Sequence, residues 1–65
     1  MRILVNGASR EIRAAELTGA LEELGYGGAV VATAVNGEFV PVSNRQTARL
    51  ADGDRLEVLA PMQGG

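Results

Sequence analysis

The sequence closes on Gly64-Gly65, a bare diglycine carboxylate that is the most reactive-looking group in the chain. Glycine has no Cβ, so two in succession can thread a slot too narrow for any side chain. A partner's active site could therefore reach the Gly65 carbonyl. Elsewhere the usual reactive groups are missing, since the 65 residues include no His, no Cys and no Lys. The common general base, the thiol nucleophile, the Schiff-base amine and the commonest metal ligand are thus unavailable. What remains is carboxylates, hydroxyls, Tyr26 and arginines. Asp52 and Asp54 flank Gly53 in a turn signal, and Glu22-Glu23 fall on a helix surface, so both pairs read as solvated. Catalysis by this chain alone is not expected, nor is a metal or a bound cofactor.

The elements that would position this terminus must come from one small domain. A chain near 60 residues buries only about 60% of its unfolded surface, which leaves a small core. Hydrophobic residues at 46% and charged residues at 22% are ordinary globular values. With no cysteine, neither a disulfide nor a thiolate metal site can staple that core. No apolar run approaches the roughly 18 to 20 residues of a membrane span, and Asn6-Gly7 interrupts the N-terminus too early for a signal peptide. A cytoplasmic protein is the expectation. The net charge of -2 and the scatter of the arginines over Arg2, Arg10, Arg13, Arg45, Arg49 and Arg55 argue against nucleic acid. One Tyr and one Phe make no base-stacking platform.

Arg2 to Val5 is a β-rich run, and Asn6-Gly7 is a hairpin signal because both positions of that turn need positive φ. A strand from Ala8 to Arg13 should fold back, with Ile3, Val5 and Ile12 toward the core. From Ala15 to Leu24 the spacing of Leu17, Leu21 and Leu24 predicts an amphipathic helix, with Gly25 as its stop. Gly19 inside it costs about 1 kcal/mol against Ala. Either close packing against the sheet explains that glycine, or the helix is locally weak. Gly25-Tyr26-Gly27-Gly28 closes a helix instead of opening one, so it reads as a connector and not as a phosphate loop.

Val30 to Val35, Asn36-Gly37 and Glu38 to Val40 form a second hairpin, stopped by Pro41. Its register is open, because Val31 and Val35 compete with Ala32 and Ala34 for the core face, and Phe39 competes with Val40. Ser43 to Leu50 reads as a loop with one helical turn, Asp52-Gly53-Asp54 as a turn, and Arg55 to Leu59 as the strand that closes the sheet. The order ββαββ, a mixed sheet covering one helix, is the α+β arrangement of β-grasp or ubiquitin-like domains. The expected core is Ile3, Val5, Ile12, Leu17, Leu21, Leu24, Val35, Leu50, Leu56 and Val58. Residues 1–59 make the domain, and 60–65 make a flexible C-terminal tail with a reach of roughly 20 Å at about 3.3 Å per residue.

Along almost its whole length the chain resembles the small bacterial sulfur carriers of thiamin synthesis, the ThiS family. The resemblance rests on Ile3-Leu4-Val5-Asn6-Gly7, on Ala32-Thr33-Ala34-Val35-Asn36-Gly37-Glu38 running into Val40-Pro41, on Leu50-Ala51-Asp52-Gly53-Asp54, and on Gln63-Gly64-Gly65, all in the family's order. The segment Asn44-Arg45-Gln46 departs from it by lacking the tryptophan found in many members between Pro41 and Asp52. The small subunit of molybdopterin synthase, MoaD, is similar in fold and also ends in Gly-Gly, although it is usually longer.

The resemblance implies a mechanism. An E1-like adenylyltransferase of the ThiF or MoeB type would use ATP and magnesium to convert the Gly65 carboxylate to an acyl-adenylate. A persulfide donor would then supply sulfur to give a C-terminal thiocarboxylate, and a thiazole synthase of the ThiG type would consume it. The chain itself would be a stoichiometric cosubstrate. Gly65 would carry the sulfur, Gly64 would allow the narrow approach, Pro61 would stiffen the tail base by fixing φ, and Ala60, Met62 and Gln63 would touch the partner. If the first and last strands are neighbours, Leu4 and Leu59 meet on the face away from the helix as a docking patch; the alternative, that they are ordinary surface leucines, stays open. Asp52, Asp54 and Glu57 could pair with partner arginines, against the favoured reading of a solvated turn. Alternative classes that share the fold are a MoaD-type carrier, a ubiquitin-like protein modifier and a non-covalent binding module with an inert tail.

Overall fold

Two Val-Asn-Gly segments punctuate the chain, and each makes a tight reversal. Asn6 and Gly7 have φ of 50° and 85°, and Asn36 and Gly37 have φ of 51° and 85°. These are the positive values that a two-residue hairpin turn with the right-handed twist of its strands requires. In the computed structural model, which describes residues 1–61, the first turn joins β1 (Arg2–Val5) to β2 (Ala8–Glu11). The second joins β3 (Ala32–Val35) to β4 (Glu38–Val40). Helix α1 (Leu17–Glu23) lies between the hairpins, and β5 (Arg55–Leu59) follows them. The five strands form one sheet in the order β2-β1-β5-β3-β4. β5 runs parallel to β1 and antiparallel to β3, so the last of these strands occupies the centre.

The helix is shorter than its apolar spacing predicts, starting at Leu17 where the sequence pattern begins at Ala15. Long-range backbone bonds cause the difference. The Leu50 N–H donates to the Ala15 carbonyl and the Leu17 N–H to the Ala48 carbonyl, both at 2.9 Å, which holds Glu16 extended in an isolated bridge to Arg49. Glu16 then caps the helix, its carboxylate accepting from the Gly19 N–H at 3.2 Å. At the other end Gly25, with φ of 94°, stops the helix as the sequence predicts. The Tyr26 N–H bonds back to the Leu21 carbonyl at 2.8 Å and the Gly25 N–H to the Glu22 carbonyl at 3.1 Å, satisfying carbonyls that the helix end leaves open.

Close packing against the sheet does not explain Gly19. A Cβ there would lie 2.7 Å from the capping Glu16 carboxylate and 2.9 Å from the Ala14 methyl, so the crowding comes from the cap and not from the sheet. Glu23 also departs from expectation. Its side chain is exposed, yet its carboxylate takes the Arg13 N–H at 2.9 Å and the Ala14 N–H at 2.6 Å, tying the connector after β2 onto the helix.

The core is Ile3, Val5, Ile12, Leu17, Ala20, Leu21, Val31, Leu50, Leu56 and Val58. Leu24 and Val35, expected within it, are half-buried at its margin, and Ala20 and Val31 take part instead. The open register of the second hairpin resolves through β5: Thr33 pairs with Val58 and Val35 with Leu56, so the odd positions face the helix. Ala32 and Ala34 face away from it. That choice buries the Thr33 hydroxyl, only 2% exposed, which donates to the Val40 carbonyl at 2.9 Å and accepts from Arg45 Nε at 3.2 Å. A buried hydroxyl with both partners avoids the cost of an unsatisfied polar group.

The remaining boundaries differ by small amounts. β2 stops at Glu11, two residues before the predicted Arg13, and β3 starts at Ala32 instead of Val30. β4 and β5 have the predicted bounds. The helical turn expected within Ser43 to Leu50 is a 3-10 turn over Val42–Asn44, one residue earlier.

Candidate functional site

The site begins at the end of β5, because that strand leads to the diglycine. Leu59 pairs with Ala32 of β3, and Ala60 and Pro61 follow, both exposed. Met62, Gln63, Gly64 and Gly65, the other residues assigned to the tail, lie outside the described residues.

Strand alternation decides what surrounds this exit. Leu56 and Val58 point to the helix, so Arg55, Glu57 and Leu59 point to the opposite face. Leu59 is 72% exposed there. On the same face Phe39 of β4, 67% exposed, pairs with Ala34, which in turn pairs with Glu57. Phe39, Ala34, Ala32 and Leu59 line one shallow apolar groove, with Glu57 and Asn6 at its margin. The groove is open to solvent beside Ala60 and Pro61, an exposed apolar surface of the kind that marks interaction sites.

Leu4 and Leu59 do share the outer face, but they do not meet. Leu4 stands beside Arg55 in the parallel ladder, four residues before Leu59, a separation of roughly 13 Å along the strand at about 3.3 Å per residue. Leu4 is also less exposed, at 38%. Leu59 instead shares its groove with Phe39, across Ala32 and Ala34 of β3. Sequence reasoning missed Phe39 because Phe39 and Val40 compete for the core by alternation alone. The signal that settles them is the pairing of Val40 with Thr33, which places Val40 inward and Phe39 outward.

The acidic residues of the turn before β5 are engaged within the fold. Asp52 accepts the Arg2 N–H at 2.8 Å. Asp54 accepts the Ala51 N–H at 2.8 Å and the Asn36 side-chain amide at 3.0 Å. They are turn-closing acceptors, and of the three acidic candidates Glu57 alone lines the apolar groove. Among the described residues, no three His, Cys, Asp or Glu side chains are placed to hold a metal ion. Among the described residues, no helix is long and apolar enough to cross a membrane.

A five-stranded mixed sheet over a single helix, with the central last strand handing its C-terminal extension out beside an apolar face, defines a β-grasp domain of the ubiquitin-like class. Within that class the chain belongs to the ThiS family, whose model it matches over residues 3–65. It superimposes with a TM-score of 0.83 on the crystal structure of the thiamine biosynthesis protein ThiS from Geobacter metallireducens, at 30% identity and with both chains covered completely. The NMR solution structure of a thiamine biosynthesis protein from the same organism gives a TM-score of 0.79 at 29% identity, covering all of this chain and 88% of the other. No curated protein matches the chain.

Proposed function

We propose that this chain is a cytoplasmic sulfur carrier for thiazole formation in thiamin biosynthesis, working through a thiocarboxylate at Gly65. The observation that carries the reading is membership of the ThiS family, whose model matches the chain through the Gly64-Gly65 pair. The fold supports it by setting an exposed apolar groove beside the strand that leads to that end.

A carboxylate is a poor electrophile, so it must be activated first. The Gly65 carboxylate oxygen attacks the α-phosphate of ATP on an E1-like adenylyltransferase, and magnesium pyrophosphate leaves. The terminal sulfur of a persulfide then attacks the acyl carbon and expels AMP. A thiol cleaves the resulting S–S bond, supplying two electrons and leaving the thiocarboxylate. Thiazole synthase takes the sulfur, an oxygen from water or from the sulfur acceptor replaces it on the acyl carbon, and the carboxylate returns. In this cycle the carrier binds no cofactor and catalyses nothing: Gly65 is the modified residue, Gly64 gives clearance, and Ala60, Pro61, Met62 and Gln63 thread the partner's channel.

The test is mass spectrometry of the purified chain after incubation with ATP, magnesium, its activating enzyme and a persulfide donor. The expected result is the mass gain of one oxygen-to-sulfur exchange located at Gly65. An unchanged mass with an enzyme shown to be active, or the same gain after Gly65 is deleted, excludes the carrier reading. Offering the thiocarboxylate in parallel to thiazole synthase and to the large subunit of molybdopterin synthase separates thiamin supply from the MoaD-type alternative. Transfer to a protein lysine would favour a modifier instead.

A further inference from the structure

The two Val-Asn-Gly turns do more than reverse the chain, because both asparagine side chains reach β5 and each reaches a different end of it. The parallel ladder between β1 and β5 consists of Leu4 beside Arg55 and Val5 beside Leu56, closed by the Asn6 N–H to the Leu56 carbonyl at 2.9 Å. At Asn6-Gly7 the chain then turns away. Had β1 continued, the next two bonds of a parallel ladder would join the N–H and the C=O of Val58 to it. Those bonds exist, but the Asn6 side chain makes them. The Val58 N–H donates to Asn6 Oδ1 at 2.9 Å, and Asn6 Nδ2 donates to the Val58 carbonyl at 3.1 Å. A primary amide carries one acceptor and one donor side by side, as successive peptide groups of a strand do, and no other side chain but Gln offers that pair.

The geometry points to Asn6 as the positioning residue for the C-terminal segment: its amide replaces the missing strand beside Val58 and so fixes the direction in which Ala60 leaves the sheet. On the opposite side the last tie is the pairing of Leu59 with Ala32. With both sides held, β5 stays in register up to the residue before the tail. The value of a fixed exit rests on the carrier reading, in which the distant Gly65 must arrive in a reactive pose. Asn36 is the internal control. Its amide accepts the Arg55 N–H at 2.9 Å and donates to Asp54 at 3.0 Å, so it secures the beginning of the same strand and has no hold on the exit.

Glycine serves both turns, because it adopts positive φ freely and lacks only the amide. The experiment therefore compares the wild-type chain with Asn6→Gly and Asn36→Gly, with Asn6→Asp as a second variant that keeps the acceptor and loses the donor. Backbone 15N relaxation is expected to show increased motion at Val58, Leu59 and Ala60 in both Asn6 variants and unchanged values there in Asn36→Gly. Pyrophosphate exchange with the activating enzyme is expected to lose about tenfold in kcat for Asn6→Gly with KM held within about twofold, as misplacement of a reacting group predicts. Asn36→Gly should keep the wild-type kcat. Wild-type order at residues 58 to 60 in Asn6→Gly, an unchanged kcat, or an equal kcat loss in Asn36→Gly overturns the assignment. If the wild-type chain is not adenylated at all, the carrier reading fails, while relaxation still decides whether Asn6 holds the strand end.

Discussion

Phe39 and Leu59 are exposed, line the apolar groove beside the strand that leads to the C-terminal segment, and lie outside the core. Their removal should therefore separate recognition from stability. Phe39→Ala and Leu59→Ala are expected to reduce kcat/KM for activation about tenfold or more, in the manner of aromatic and apolar anchors at an interface. The melting temperature should stay nearly constant, since exposed substitutions usually fall within about 0.5 kcal/mol. Leu4→Ala should have the smaller effect, because its register beside Arg55 sets it apart from that groove. A melting-temperature loss in Phe39→Ala matching the activity loss would contradict this assignment. The contrast with Glu23 is instructive, since that side chain is exposed as well but bonds the backbone at Arg13 and Ala14. Exposure alone distinguishes neither role; the partners do.

At the scale of the elements, the helix illustrates how a local rule is overridden. Propensity says that Gly19→Ala should stabilise a helix by about 1 kcal/mol. Here the new methyl would press on the Glu16 carboxylate that caps the same helix and on Ala14. Displacing the cap costs about 0.5 to 2 kcal/mol, which cancels the gain. The expected result is a melting temperature that does not rise, measured by circular dichroism. A rise equal to the full propensity gain would mean that the cap contributes nothing. The helix stop at Gly25 and both Asn-Gly turns were legible because they depend on one residue's φ. The helix start was not, because it depends on backbone bonds from residues 48 and 50, and no window of sequence around Ala15 contains them.

For the whole molecule, every core residue among the described residues lies between Ile3 and Val58, so the domain's stability and the chemistry of its terminus are expected to be separable. Truncation after Pro61 is expected to leave thermal unfolding unchanged while abolishing activation and sulfur loading. A large loss of stability on truncation would show that residues 62 to 65 pack on the domain. Core residues behave oppositely. Leu56, fully buried in the central strand, should cost about 2 to 5 kcal/mol when cut to Ala, much of what a small domain has.

The sequence by itself determined the order of elements, the two hairpin turns, the bounds of β4 and β5, eight of the ten core side chains and the family. These follow from periodicity, from the φ demands of Asn-Gly and Gly, and from motifs read in order. Only the tertiary structure decided which face of the second hairpin is buried, that Phe39 and not Leu4 accompanies Leu59, that Glu23 and the two turn aspartates are internal ties, and that Asn6 reaches Val58. Each of these is a pairing between residues far apart in the chain. Side-chain alternation offers two equivalent faces per strand, and the choice between them is made only when another strand supplies the register.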